Sequence, residues 1–245
     1  RPVGMRVMYV LHLFSGRRRE KDIQFYFEQA YQRQYDRAVS GAEAVHGDSG
    51  GMAAGWQGIF VLSLDVANDK VKGDLSSPQA VAFWTSLFWQ GRVAALVGGP
   101  PCETWSQARY HEVAAAKRPP RPLRSAAAPW GFKHLKDAER LQLAVGSNLM
   151  RTQVYFMFLS GLLGIPAVQE HPIEPSRQER ASCWRIPELR HLMQQEWAQA
   201  VDFDQCQAGA CGQKPTRLAV VHAPEVRREI RRLPNASWCW HSKEH

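Results

Sequence analysis

An α/β fold built on a doubly wound, mostly parallel sheet, with helices on both faces, is predicted by three observations. Short apolar runs alternate with stretches carrying apolar residues at helical spacing, as repeated strand–helix units do. Turn-forming or acidic residues close several of those runs, at Ser15-Gly16, Asp65 and Gly98-Gly99-Pro100-Pro101. The 245 residues are 44% hydrophobic and 22% charged, which suits one domain, 1–245, with a substantial core and excludes a disordered chain.

Val7 to Phe14 is an apolar run closed by Ser15-Gly16 and reads as the first strand. Asp22 to Gln34 places Ile23, Phe27, Ala30 and Tyr31 at helical spacing. A loop insertion is expected over 36–58, rich in glycine and alanine from Ser40 onward. Ile59 to Leu64 reads as a second strand ending at Asp65, and Gly73-Asp74-Leu75 leads to a helix start. There Ser77 is an N-cap residue and Pro78 occupies the first turn. That helix runs to Trp89 and stops at Gly91; Val93 to Val97 is the next strand. Residues 107–134 are basic and proline-rich without a clean period, a long loop of the kind that tends to be functional. Leu135 to Leu163 is helical, in two pieces around Gly146. Ile165 to Gln169 is a strand ending at Glu170-His171-Pro172, Pro187 to Gln195 a helix, and Ala200 to Phe203 and Leu218 to Val221 the last strands.

The net charge of +8 suits a polyanionic partner such as nucleic acid, though a merely basic protein has the same balance. The most apolar window, Val154 to Ile165, is too short for a bilayer and is broken by glycines. Five scattered cysteines argue against a disulfide framework, and no signal peptide is visible. The expectation is an intracellular protein, nuclear or cytoplasmic and not secreted, that does not bind membranes.

Two glycines and two prolines force the chain out of the third strand and present Cys102 at its carboxyl end, where ligands bind in open α/β sheets. A cysteine on so stiff a turn reads as a nucleophile; the competing reading is a buried structural thiol. Ser15-Gly16, Asp65, Asp74 and Glu170 also fall at strand ends and would converge on the same edge. A turn after strand one lets backbone amides approach a nucleoside. An acid after strand two can accept from ribose hydroxyls, and a further Asp from an adenine amino group. Asp65 and Asp74 read equally well as ordinary strand-end and capping acids, and His12 as a structural histidine.

In that order the motifs resemble the cytosine carbon-5 DNA methyltransferases. His12-Leu13-Phe14-Ser15-Gly16 is similar to their cofactor motif, Gly73-Asp74-Leu75 to their adenine-contacting Gly-Asp-Ile, and Asp65 holds the place of their ribose-binding acid. Gly99-Pro100-Pro101-Cys102, with Ser106 beyond, matches their catalytic motif. Glu170-His171-Pro172 stands where they carry Glu-Asn-Val, and Gln213-Lys214-Pro215-Thr216-Arg217 resembles their Gln-x-Arg-x-Arg. The departures are Arg17-Arg18-Arg19 in place of further glycines, Pro215 in place of the first late arginine, and a stretch from Pro224 to His245 too short for a target-recognition region. A fragment, a minimal divergent member and a relative without activity are all consistent with these.

The resemblance implies a Rossmann-like methyltransferase sheet and S-adenosylmethionine as cofactor, contacted by Phe14, Ser15, Gly16, Asp65, Asp74 and Pro100. It makes Cys102 the nucleophile toward cytosine carbon 6, a covalent strategy that splits one hard step into easier ones. Glu170, in its protonated form, would serve ring nitrogen 3 and the exocyclic amine, and Arg217 the ring carbonyl. Arg109 or Arg124 would supply the positive charge a thiolate needs. The target base would be flipped out or single-stranded, with Ser106, Arg109, Arg121 and Arg124 of the basic loop holding phosphates. That loop also carries Lys117, Arg118 and Lys133.

Trp105 would line the base pocket, with Trp238 and Trp240 covering the sheet end. No metal is expected, although Cys206, Cys211, Cys239 and His241 supply the donor types of a zinc site. DNA is the expected substrate. Alternatives are a transfer-RNA cytosine methyltransferase, a catalytically silent nucleic-acid-binding domain on the same scaffold, and a methyltransferase with a small-molecule acceptor.

Overall fold

The computed structural model describes residues 7–44, 59–110 and 120–234. The chain divides into two compact units, Arg1–Val97 and Gly98–His245. It is an α/β protein of six strands and five helices among the described residues, with strands of mixed sense.

The first unit comprises β1 (Met8–Leu13), α1 (Ile23–Ala44), β2 (Ile59–Leu64), α2 (Pro78–Trp89) and β3 (Val93–Gly98, its last residue counted with the second unit), with strand order β2-β1-β3. β1 and β2 are parallel, in register from Met8 opposite Ile59 to Leu13 opposite Leu64. Val10, Leu11, Leu13, Val61, Leu64 and Leu96 are buried. α2 buries Ala80, Trp84, Leu87 and Phe88, one apolar stripe at helical spacing. Ser77 is the N-cap residue and Pro78 opens α2 as expected, although the Ser77 hydroxyl donates to Gln79 Oε1 at 2.9 Å and makes no capping bond to the backbone. Gly91, at φ +64°, reverses the chain after the helix. α1 continues beyond Gln34 to Ala44, so the expected insertion begins inside a helix; its remainder, 45–58, lies outside the described residues.

The second unit holds α3 (Asp137–Leu163), β4 (Ala167–Pro172), α4 (Pro187–Met193), β5 (Ala198–Asp204), β6 (Pro215–Val221) and α5 (Pro224–Arg231), with short 3-10 turns at Gln107–Tyr110, Cys183–Arg185 and Gln205–Ala208. Its strand order is β4-β6-β5, and β6 is antiparallel to both neighbours. The sheet is therefore mixed, with β6 as the antiparallel strand. The link from β5 to β6, residues 205–214, has no room for the crossover helix that parallel neighbours require.

Helices do cover both faces of these three strands. Gln169 and His171 face one side of β4, and Val168 and Glu170 the other, by strand alternation. α3 lies on the Gln169 side, where Gln169 Nε2 meets Met150 Sδ at 3.9 Å. α5 lies on the Val168 side, its Val226 and Ile230 packing on Val201, Leu218 and Val220.

Two boundaries differ from expectation. α3 is one helix through Gly146, which is needed for close approach and not as a break: a Cβ there would stand 2.9 Å from Thr104 Oγ1. β4 starts and ends later than its apolar run, because the ladder with β6 carries through Glu170 and His171 to Pro172.

Candidate active site

The turn after β3 is shaped by what its glycines leave out. A Cβ on Gly98 would collide with the side-chain amide of Gln153, which is fully buried in α3. A Cβ on Gly99 would sit 3.2 Å from Glu170 Oε2, so the bare glycine lets that carboxylate lie against the turn. Pro100 is buried, and the Cys102 carbonyl accepts from Trp105 N at 2.9 Å, closing the loop.

Behind the loop stands Arg124, fully buried and far from any role at the surface. Its guanidinium lies 3.8 Å from the centre of the Trp105 ring and donates to Thr104 Oγ1, Pro129 O, Leu143 O and Ser147 Oγ. Arg109 is also buried and donates to Glu103 O at 2.6 Å and Arg121 O at 3.0 Å. Arg121 clamps Glu139 with two bonds of 2.7 and 2.6 Å, and Glu139 at the same time accepts from Lys136 N at the start of α3. Arg109 and Arg124 are buried and spend donors on the backbone and side chains behind the cysteine loop, which corrects the phosphate contacts expected of these two. Arg121 stays exposed while it pairs with Glu139. Ser106 is half-buried and its carbonyl accepts from Arg109 N. Lys117 and Arg118 lie outside the described residues. Trp105 is buried behind the loop, edge-on to Trp130, and does not line a base pocket.

Cys102 itself is half-buried. Burial pushes its thiol pKa up; Lys214 pulls it down, and Glu170 raises it again. Lys214 is therefore the cation that acts on the thiol, in place of Arg109 or Arg124. Lys214 Nζ stands 3.0 Å from Glu170 Oε1, and Gln205 Nε2 donates to the same oxygen at 3.2 Å. The second unit thus brings together a thiol, a carboxylate and an ammonium.

Arg217 is not part of that group. It pairs across the ladder with His171, whereas Glu170 pairs with Leu218, so the two side chains leave opposite faces. Asp202 accepts two bonds from Arg217, at 2.6 and 2.8 Å, and Glu174 lies 3.6 Å away. The expected contact of Arg217 with a base beside Glu170 is corrected on this ground. Beside it, His171 and Cys183 are buried, and neither ring nitrogen of His171 has a hydrogen-bond partner among the described residues. Burial holds His171 down to about 3 and pushes the Cys183 thiol well up.

In the first unit the other motifs form a tight turn. Phe14 and Gly16 both have left-handed φ values, +57° and +67°. Gly16 N donates to Asp65 Oδ2 at 3.0 Å, Ala67 N to Asp65 Oδ1 at 2.9 Å, and Asn68 Nδ2 to Ser15 Oγ and Gly16 O. Gly73 packs so closely on the Asp65 and Asp69 carbonyls that any side chain would collide with them. Asp74 accepts from Ser76 N and Ser76 Oγ through Oδ1 alone. Lone pairs on Asp65 and Oδ2 of Asp74 fit ribose hydroxyls and an adenine amino group. The Gly16 amide is already committed to Asp65, so this turn would hold a nucleoside through carboxylates and not through its own N–H groups. His12 is half-buried, and burial lowers its pKa.

Among the described residues no three His, Cys, Asp or Glu side chains are grouped as a metal site. Cys206 and Cys211 are described; Cys239 and His241, and Trp238 and Trp240, lie outside. No described helix is long and apolar enough to cross a membrane. No protein-family model matches the chain, and no curated protein matches it.

Sequence reasoning missed Lys214, Gln205 and Gln153. Lys214 lies within the late motif, directly after Gln213 and ahead of Arg217 at its far end. Its signal is the proline that follows it, which starts β6 at Pro215 and leaves Lys214 at the mouth of the strand.

Proposed function

We propose that the chain is an S-adenosylmethionine-dependent methyltransferase acting on carbon 5 of cytosine in DNA, on a Rossmann-like scaffold. The observation that carries this reading is the grouping of Cys102 on its braced loop with the Glu170–Lys214 pair. Cytosine carbon 5 is a poor nucleophile until a group adds at carbon 6. Cys102 gives up its thiol proton to Glu170, and its sulfur forms a bond to carbon 6. Glu170 passes that proton to ring nitrogen 3, and the Lys214 charge offsets the negative charge that addition puts on the ring. Carbon 5 then takes the methyl group that bound S-adenosylmethionine supplies. The hydrogen on carbon 5 leaves to water as a proton, the sulfur–carbon bond breaks to release the thiolate, and nitrogen 3 returns its proton to Glu170, which passes it back to the sulfur. Asp65 and Asp74 are assigned to the nucleoside of the cofactor. A base inside a duplex cannot reach a thiol on such a loop, so the target is extruded or single-stranded.

A second reading, a silent nucleic-acid-binding domain, is favoured by one observation: burial raises the Cys102 thiol instead of lowering it. Transfer of labelled methyl groups from S-adenosylmethionine to cytosine-containing duplex DNA separates the two. The proposal expects incorporation that is abolished in Cys102→Ala. DNA binding without incorporation in the wild-type protein would establish the silent domain.

A further inference from the structure

The second unit carries a strongly basic concavity that none of the catalytic motifs uses. It is an open depression of about 470 Å³ lined by Gln199, Pro224, Arg227, Arg228, Arg231 and Arg232. Four arginines on and just after α5 meet only two glutamates in the same stretch, Glu225 and Glu229. Glu229 is shared: it lies 2.9 Å from Arg232 and 3.7 Å from Arg228. Among the described residues neither Arg227 nor Arg231 has an ion-pair partner, and Arg227 Nε is buried without a hydrogen-bond acceptor. Arg227 is held in place by one bond, from its terminal nitrogen to Gln199 Oε1 at 2.9 Å.

Four guanidinium groups that share Glu229 and Gln199 as acceptors repel one another and carry more donors than those acceptors take up. An anion with several oxygens relieves both deficits, and arginine's planar fork matches phosphate. The same helix tells which polyanion fits. Its apolar residues Val226 and Ile230 are already packed on Val201, Leu218 and Val220. α5 therefore has no apolar face left to enter a lipid surface, as a membrane-binding amphipathic helix needs. Gln199 lies opposite Val220, on the face of the β4–β6–β5 strands that also carries Val168 and Glu170. Gln199 further borders a second depression of about 500 Å³, lined by Glu174, Trp184, Arg190 and Arg217 among others, in which Arg217 is already paired with carboxylates.

We propose that the arginine-lined concavity of α5 is a docking site for the phosphate backbone of nucleic acid, distinct from the Cys102 centre. Its recognition is of charge and spacing and carries no base preference. Each phosphate neutralised should steepen the salt dependence of binding by about 0.9 in the slope of log K against log salt.

The test is titration of a labelled DNA duplex with the full chain across a salt series. Arg228→Gln with Arg231→Gln is expected to flatten that slope by about 2 and to weaken binding alike for duplexes of unrelated sequence. Arg228→Lys with Arg231→Lys should retain the slope. These side chains point outward, so circular dichroism should be unchanged in both variants. An unchanged slope in the glutamine variant overturns the proposal. So does loss of binding to phosphatidylserine vesicles with DNA binding intact. Cys102→Ala should bind the duplex as the wild-type protein does. A chain without methyl transfer that still shows the arginine-dependent slope leaves this proposal standing while removing the catalytic one.

Discussion

The two units differ in how far they satisfy their buried polar groups. In the first, the turn after β1 is tied up locally: Asp65 holds the Gly16 and Ala67 amides, and Asn68 holds Ser15 and Gly16. In the second, more buried polar atoms lack a partner among the described residues: both ring nitrogens of His171, the amide of Gln153 and Nε of Arg227, against His12 Nδ1 in the first. Folded proteins pair most of their buried polar groups, so unpaired ones mark places where something besides packing is at stake. The first unit ties up its β1 turn and leaves one buried polar atom, His12 Nδ1, without a partner among the described residues. The second holds reactive and charged groups that the fold alone does not satisfy.

The comparison can be broken most sharply at Arg124. Its guanidinium satisfies four acceptors and stacks on Trp105, so Arg124→Gln should destabilise the second unit by about 3 kcal/mol or more, read by chemical denaturation. Asn68→Ala in the first unit removes bonds at an exposed turn and should cost about 1 kcal/mol at most. Comparable losses would mean that the cysteine loop is not braced from behind.

His171 sharpens the contrast through pH. Its folded value of about 3 lies below the ordinary 6.5, so the folded state binds fewer protons than the unfolded one. The stability it contributes is fully present above pH 6.5 and is lost as pH falls toward 3. The expected slope is about 1.4 kcal/mol per pH unit inside that window. His171→Leu should remove this part of the slope; an equal slope in that variant would show that His171 reaches a partner.

A smaller effect concerns the thiol. Cys102 alkylation should rise with pH beyond the range of an ordinary cysteine, because burial raises its pKa. At fixed pH, Glu170→Gln should speed alkylation and Lys214→Gln should slow it, because the carboxylate raises the thiol's pKa and the ammonium lowers it. Changes of the same sign in both variants would mean that Glu170 and Lys214 act only on each other.

Much of this was legible in the chain. β2 falls on Ile59–Leu64 as its apolar run predicts, and the turn residues place Cys102 directly after β3. What escaped was long-range. Periodicity cannot say that β6 runs antiparallel between β4 and β5, and that arrangement decides which residues share a face. It puts Arg217 on the side away from Glu170 and brings in Lys214 instead. Charge in the basic loop was visible, but whether an arginine faces water or Trp105 depends on residues far along the chain, as Gly146 and Ser147 show for Arg124.

The central claim is that Cys102 attacks cytosine. The direct measurement is mass spectrometry of the full chain after incubation with S-adenosylmethionine and an oligonucleotide in which 5-fluorocytosine replaces the target base. Fluorine at carbon 5 cannot leave as a proton does, so a reacting enzyme remains bonded to the DNA. The account predicts a covalent adduct at Cys102 that is absent in Cys102→Ala. An oligonucleotide that binds, with cofactor present, and leaves Cys102 unmodified would contradict it.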